Sequence, residues 1–204
     1  FNNVSFTYPE TDREIFKQIT FEIESGESVA LLGTTGSGKS SLAQLMARFY
    51  DPSSGDILLD GVSLKNWDIK QVRKSLAYVP QDVFLFSTTI AENISFGQDG
   101  MSFEQIMQAA KMADVYENIM EFPDQFETIL GERGVTLSGG QKQRVSIARA
   151  LAKNPSMLIL DDCLSAVDTH TEHKILNNLK KIMVGKTSLI ISHRVSSAKL
   201  ANRI

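Results

Sequence analysis

Cysteine is almost absent from this chain of 204 residues: Cys163 stands alone. No internal disulfide can form and no set of thiolates is available to a metal, so a reducing, cytoplasmic setting is expected. A long apolar run is missing as well. Nothing approaches the roughly 20 residues needed to cross a bilayer and no signal peptide opens the chain, which is therefore expected to be soluble by itself. Nor is there an excess of positive charge. With 21 Lys and Arg against 24 Asp and Glu the formal net charge is -3, and the pI is about 5.7. A sequence-independent nucleic-acid binder carries a clustered basic surface, so no nucleic acid is expected as a partner. Internal repeats, low-complexity linkers and long heptads are lacking too, and the length suits one α/β domain rather than two. The chain opens in the strand-like run Phe1 to Phe6 without a starting Met and stops soon after another strand-like segment, which reads as an excised fragment.

What the sequence does hold is alternation between short apolar runs and helical periodicities, the mark of an α/β fold. Ser28 to Leu32, Leu76 to Val79, Met157 to Leu160 and Ser188 to Ile191 are short, apolar and bounded by polar or breaking residues, as buried strands should be. Ile19, Phe21 and Ile23 alternate with polar residues, which predicts a half-exposed antiparallel strand and hence a mixed sheet system. Leu42, Leu45, Met46 and Phe49 follow the i, i+3, i+4, i+7 spacing of a helix face, and Ile175, Leu176, Leu179, Ile182 and Met183 form a second stripe. Ser102-Phe103-Glu104-Gln105 has capping-box spacing, and Ile106, Ala109, Ala110 and Ala113 extend it as a helix to about Ile119. The region 83–140 reads as a helical subdomain inserted into a single domain, 1–204.

Three motifs carry chemistry. Gly33-Thr34-Thr35-Gly36-Ser37-Gly38-Lys39-Ser40 fits GxxxxGK[ST] and lies between a predicted strand and a predicted helix, the context a phosphate-binding loop needs. Its glycines let the backbone curl so that successive N–H groups point at phosphate oxygens, and the following helix adds its positive end. Lys39 is placed to hold the β- and γ-phosphates. Ser40 offers a hydroxyl to Mg²⁺, a hard cation that prefers oxygen ligands and keeps several waters.

Met157-Leu158-Ile159-Leu160-Asp161 is an apolar strand ending in a carboxylate, with Asp162 next to it, and strand ends are where α/β sheets place ligands. Asp161 can orient Mg²⁺ through its waters and Asp162 can polarise an attacking water. Taken alone, the two acids could equally cap a turn. Leu137-Ser138-Gly139-Gly140-Gln141 sets Ser and Gln at capping-box spacing, with two glycines baring the amides ahead of a helical stretch containing Val145, Ala148 and Leu151. This is a second phosphate-binding helix end in a chain that already has one, so it suits a nucleotide held by another copy or a partner. An ordinary capped helix is the alternative for the Ser-x-x-Gln pattern alone.

In this order the motifs resemble the nucleotide-binding domain of ABC transporters, and the resemblance covers nearly the whole chain, with the Leu137–Gln141 signature its most specific mark. It implies an ATPase with ATP and Mg²⁺ as cofactors, on a P-loop NTPase core of ABC type with an antiparallel β subdomain and an inserted helical subdomain. By the same resemblance Tyr8, in Phe6-Thr7-Tyr8-Pro9, takes the base-stacking position, and Ser41 joins Gly33 to Ser40 around ATP. Gln81, in Tyr78-Val79-Pro80-Gln81, senses Mg²⁺ and contacts transmembrane coupling helices. Ser165-Ala166-Val167-Asp168 looks like the loop that crosses a dimer interface, so that Asp168 and the signature act on the opposite nucleotide. His193 matches the switch histidine near the γ-phosphate. Ser40, Gln81 and Asp161 are the implied metal residues; Asp162, His193, Lys39 and Gln81 are the implied catalytic set. Each single match also has a bland structural reading: Tyr8 as a core aromatic, Gln81 as a solvated turn residue, Asp168 as a helix cap, His193 as a satisfied polar group. His170 and His173 read as solvated and Cys163 as a buried filler.

Gly131-Glu132-Arg133-Gly134 resembles the short exporter segment that touches the transmembrane domains, and Ser87 to Ile94 is exporter-like too, although a polar loop before a helix fits both. The expected setting is the cytoplasmic face of the plasma or inner membrane. One residue departs from the pattern, because the acid after Asp161 is normally the catalytic Glu and here is Asp162, one methylene shorter. A general base must come within about 2.6–3.2 Å of its proton, so tight binding with slow hydrolysis is expected. In exporters built of two different halves a weakened acid commonly accompanies an intact signature, so a heterodimer with a second nucleotide-binding domain leads and a slow homodimer is the alternative. Two other readings stand beside these: a regulatory half that switches by dimerising without hydrolysis, and a soluble relative acting in DNA repair or translation. The acidic balance and the lack of heptads count against the last.

Overall fold

The computed structural model describes residues 1–9, 11–98, 100–131 and 137–204. In chain order they form β1 (Asn2–Thr7), β2 (Glu14–Ile19), β3 (Ser28–Leu31), α1 (Lys39–Met46), β4 (Ser54–Asp56), β5 (Leu58–Leu59), β6 (Val62–Ser63), α2 (Ile69–Ser75) and β7 (Leu76–Val79). There follow α3 (Ile90–Ser95), α4 (Phe103–Met112), α5 (Tyr116–Met120), α6 (Gly139–Ala152), β8 (Met157–Asp161), α7 (Thr169–Ile182), β9 (Thr187–Ile191) and α8 (Val195–Ala198).

Four strands make a wholly parallel sheet in the order β3-β9-β8-β7. Parallel sheets are covered on both faces, which is why these strands read as unbroken apolar runs. Alternate side chains go to opposite sides. Leu158, Leu160 and Ile190 meet Val145, Ala148, Ile175 and Leu179 of α6 and α7, whereas Ile159, Leu189 and Ile191 meet Ala43 and Ala47 around α1. Each such buried Leu or Ile contributes roughly 1.5–3 kcal/mol relative to exposure. A separate antiparallel sheet, β2-β1-β4, closes over Val4, Phe6, Leu45, Ile57, Leu64 and Val72. The fold is therefore the mixed α/β architecture expected of a P-loop core with an antiparallel β layer. Among the described residues no helix is long and apolar enough to cross a membrane.

Three expectations need correction. The strand predicted around Ile19, Phe21 and Ile23 lies earlier, with Val4 opposite Ile19 and Thr7 opposite Glu14. Phe21 leaves that ladder because it exchanges backbone hydrogen bonds with Phe1, at 3.2 and 2.8 Å, and stacks its ring on that of Phe1 at 4.4 Å. The helix expected from Ser102 to Ile119 is two helices, since Asp114 turns to φ 53° between them, a left-handed backbone that Asp tolerates better than most residues. The capping box at Ser102 is present as read. Likewise α1 stops at Met46, because Arg48 turns to φ 50°, and Phe49 lies past the helix with its ring edge-on to Tyr78 at 5.6 Å. Glu132, Arg133 and Gly134 of the exporter-like segment lie outside the described residues. Cys163 is buried, as expected of a filler, and burial pushes its thiol up to about 12.

Arg149 is the pin that fastens α6 to the segment 84–96. It donates to the Asn93 carbonyl at 2.7 Å, the Asn93 side chain at 2.8 Å and the Phe84 carbonyl at 3.0 Å, and sits 5.5 and 5.8 Å from the ring centres of Phe86 and Phe96. No acid partners it among the described residues, and desolvation lowers its guanidinium to about 10. Arg149→Met should lower the unfolding free energy by about 2–3 kcal/mol, since it removes three hydrogen bonds, two of them to the buried Asn93. Urea unfolding followed by circular dichroism measures this; a shift under about 0.5 kcal/mol would mean that the rings alone hold the segment.

Candidate functional site

The loop 32–38 leaves β3 at its carboxyl end and enters α1, whose N-cap is Gly38 at φ 91°. A Cβ there would stand 2.9 Å from Ile15 and 3.0 Å from Phe16, so glycine is required twice, by conformation and by space. Lys39, only 9% exposed, folds its ammonium back into the loop and donates to the carbonyls of Gly33 and Thr34, both at 2.8 Å, and to Ser37 Oγ at 3.3 Å. The loop N–H groups of Thr35, Gly36 and Gly38 have no partner among the described residues, which leaves an anion-binding concavity above the start of α1.

Asp161, the last residue of β8, is 2% exposed. It accepts from Ser40 Oγ at 3.0 Å through one oxygen and from the Tyr78 hydroxyl at 3.0 Å through the other. Desolvation raises its pKa above the ordinary carboxylate value and neighbouring Asp162 adds to this, against the Ser40 and Tyr78 hydrogen bonds and the charge of Lys39. A hard cation would relieve that burial, and the hydroxyl and carboxylate oxygens of Ser40 and Asp161 are the donor set that Mg²⁺ takes. No cluster of three or more His, Cys, Asp or Glu is placed to hold a metal among the described residues. Mg²⁺ needs none, since phosphates and waters complete its shell. The same burial, with the Asp161 charge behind it, pushes the Tyr78 phenol well above its ordinary value.

Around this point lies a cavity of about 260 Å³ whose lining includes Tyr8, Thr35, Gly36, Gly38, Lys39, Ser40, Ser41, Gln81, Asp161, Asp162 and His193. Residues far apart in sequence thus meet at the carboxyl edge of the sheet, where ligands of α/β folds bind. Tyr8 stands at the cavity's side with its hydroxyl bonded to Ser41 Oγ at 2.8 Å and Gln44 Oε1 at 2.9 Å, its ring edge-on to Phe6 and Tyr50. Asp162 has a left-handed backbone, φ 44°, fixed by its N–H on the Ile191 carbonyl at 2.8 Å.

The signature stays outside this cavity. Ser138 caps α6 and exchanges bonds with Gln141, Ser138 N–H to Gln141 Oε1 at 2.9 Å and Gln141 N–H to Ser138 Oγ at 3.2 Å, a complete capping box. Leu137 is buried, while Ser138 and Gly139 are exposed. In the Ser-Gly-Gly-Gln pattern both glycines are expected to bare amides. Gly140 has another: a Cβ there would sit 2.9 Å from the Ala166 carbonyl, so the loop 165–168 can approach only glycine. Asp168 caps α7 by accepting from the Thr171 N–H at 3.0 Å, which holds its carboxyl below the usual range.

Four participants went unseen in the sequence: Tyr78, Gln143, Glu172 and Arg194. Tyr78 alone had a local signal, a hydroxyl on an apolar strand that needs a buried partner.

A phosphate cradle at a strand-to-helix turn, with a carboxylate on the neighbouring strand end, defines a P-loop nucleotide-binding protein. The ABC transporter family model matches residues 16–165. With that match over most of its length, the chain belongs to the ABC transporter family. Over 204 residues it is 48% identical to the ABC transporter ATP-binding protein YknU of Bacillus subtilis (strain 168), covering 100% of this chain and 35% of that protein. It is 47% identical, with the same coverage, to the ATP-dependent lipid A-core flippase of Chromobacterium violaceum. Among solved structures, a bacterial Atm1-family ABC exporter with ATP bound superposes with a TM-score of 0.95 at 44% identity, over 99% of this chain and 35% of that one. The chain thus spans about a third of the length of these relatives.

Proposed function

We propose that this chain is the ATP-hydrolysing motor domain of an ABC exporter, which closes around ATP with a second nucleotide-binding domain and drives transmembrane domains outside this sequence. The observation that carries the reading is the convergence of Lys39, Ser40, Gln81, Asp161, Asp162 and His193 on one cavity. The amides of 33–40 and the Lys39 ammonium bind the phosphates, Ser41 completes the cradle, and Tyr8 offers its ring to the base. Ser40, Asp161 and Gln81 hold Mg²⁺, which when bound neutralises charge on the β- and γ-phosphates. Asp162 accepts the proton of the attacking water, and His193 steadies the γ-phosphate from the neighbouring strand end. Leu137 to Gln141, with Asp168, serve the partner's nucleotide, since neither Ser138 nor Asp168 lines the chain's own cavity.

A groove of about 720 Å³ supports the coupling to transmembrane domains. Phe84 and Phe96, each 54% exposed, line it together with Phe86 and Arg149, and Ser40, Gln81 and Asp161 border both this groove and the nucleotide cavity. A short helix seated there can feel the phosphate site through Gln81. The region 83–140 is then the helical subdomain on which that helix rests, and the motor lies at the cytoplasmic face of the membrane. The exporter direction follows the flippase and exporter relatives. Asp162 favours a heterodimer in which this half hydrolyses slowly; without a faster partner it would act as a regulatory half.

The in-trans assignment is tested with Ser138→Arg in the full-length assembly. A bulky cation at the exposed helix end should lower hydrolysis at the partner's site by about 10-fold or more, while Mg-ATP affinity at this chain's own loop stays within about twofold. Lost affinity at the chain's own loop with assembled turnover intact would reverse the assignment.

A further inference from the structure

Between the two candidate phosphate sites of this chain lies a half-buried ion pair, Arg194 with Glu172. Arg194 follows His193 directly and is the N-cap of α8; its N–H donates to Ser192 Oγ at 3.0 Å, so the backbone on either side of His193 is tied down. Its guanidinium pairs with Glu172 of α7, whose side chain is 5% exposed against 37% for Arg194, and a second nitrogen donates to the Ser165 carbonyl at 3.0 Å. The other Glu172 oxygen accepts from Ser196 Oγ at 2.5 Å. Since Glu172 lies in the first turn of α7, which Asp168 caps, this one pair grips the loop 165–168 at both ends.

The loop's opposite side is held by the signature helix. Buried Gln143 donates to Ser165 Oγ at 2.9 Å and accepts from the Ala166 N–H at 2.9 Å, and Gly140 lies directly under the Ala166 carbonyl. The loop therefore has no slack between α6 and Arg194. A planar guanidinium that binds a carboxylate and a carbonyl at once transmits displacement as a rigid piece, which a point charge on a flexible stem does not.

The geometry points to Arg194 and Glu172 as positioning residues that carry the state of the chain's own phosphate site, through His193, to the loop 165–168 and the signature end presented to the partner. This rests on the nucleotide reading above. It assigns a cross-site coupling to two residues that do not line the chain's own nucleotide cavity.

Two near-isosteric variants of the full-length assembly test it. Arg194→Lys keeps the charge but cannot reach Glu172 and Ser165 together; Glu172→Gln keeps the shape but drops the charge. Three quantities are read beside the unsubstituted protein: Mg-ATP affinity at this chain's loop, hydrolysis at the partner's site, and hydrogen exchange of 165–168 and 191–194 with and without ATP. Affinity should stay within about twofold while partner-site turnover falls about 5- to 10-fold, a usual size for coupling between sites. ATP should still protect 191–194 and no longer protect 165–168. Unchanged turnover and unchanged 165–168 protection in folded variants overturn the coupling. So does a loss of turnover that merely follows lost affinity or a lowered Tm, which marks a plain structural pin. If the unsubstituted protein fails to bind ATP, the nucleotide reading falls, and this inference with it.

Discussion

Lys39→Ala should weaken Mg-ATP binding about 100-fold. The ammonium reaches three oxygens of its own loop, the carbonyls of Gly33 and Thr34 and the hydroxyl of Ser37, and all three are within the swing of a side chain that would turn to phosphate. Hydrogen bonds to a charged group contribute about 1.5–3 kcal/mol each, and two lost to the phosphates account for that factor. Alanine also removes the brace that these three hydrogen bonds give the loop, so part of the loss is pre-organisation. Global stability should hardly move, because the strands and α1 keep their packing on Ala43, Ile159 and Ile191. Fluorescent-nucleotide titration with a melting curve as control decides it. Equal affinity in the mutant would show that the loop does not bind the phosphates.

Asp162→Glu should raise single-turnover hydrolysis at this chain's site about 10- to 100-fold, with binding nearly unchanged. A placed general base contributes about 10²–10⁴-fold and Asp, one methylene short, retains part of it. Binding is spared because Lys39, Ser40 and Asp161 are untouched. The backbone sets the cost: at φ 44° Asp is tolerated better than Glu, so a stability loss of about 1 kcal/mol should accompany the gain. Quenched-flow hydrolysis at saturating Mg-ATP in the assembled full-length protein, with the partner's base disabled, measures the step. Fast turnover already with Asp162, or none gained with Glu, would mean that reach does not limit this site.

The parts legible in the sequence share one property: their meaning is local. Gly33 to Ser40, Met157 to Asp162 and Ser138 to Gln141 each combine a strand end or a cap with residues at fixed offsets, and the structure puts the first two in one cavity and builds the third as a capping box. Arg149, Tyr78, Gln143 and the Glu172–Arg194 pair depend on which elements become neighbours, and nothing in a local window says that β8 lies between β7 and β9. Periodicity misled where the backbone leaves regularity while side chains keep facing the core. Ile119 is buried in α5 as it would have been in one continuous helix, so the turn at Asp114 left no trace in the apolar pattern. At Phe21 the alternation is real, but the partner is the backbone of Phe1 rather than a ladder.

The pairing of β3 with β9, Ser28 opposite Ser188 through Leu31 opposite Ile191, bears on how the domain is made. The strand that launches the phosphate loop lacks its ladder partner until β9 has been synthesised, and β7 waits in the same way for β8 across the whole stretch from Val79 to Met157. Such contacts of large sequence separation are slow to close and leave apolar edges open to other chains meanwhile. ATP can stabilise only the finished sheet, because a ligand of the native state adds nothing before that state exists. Substitutions in β9, remote from the phosphates in sequence, should therefore show themselves first as poor yield of folded protein.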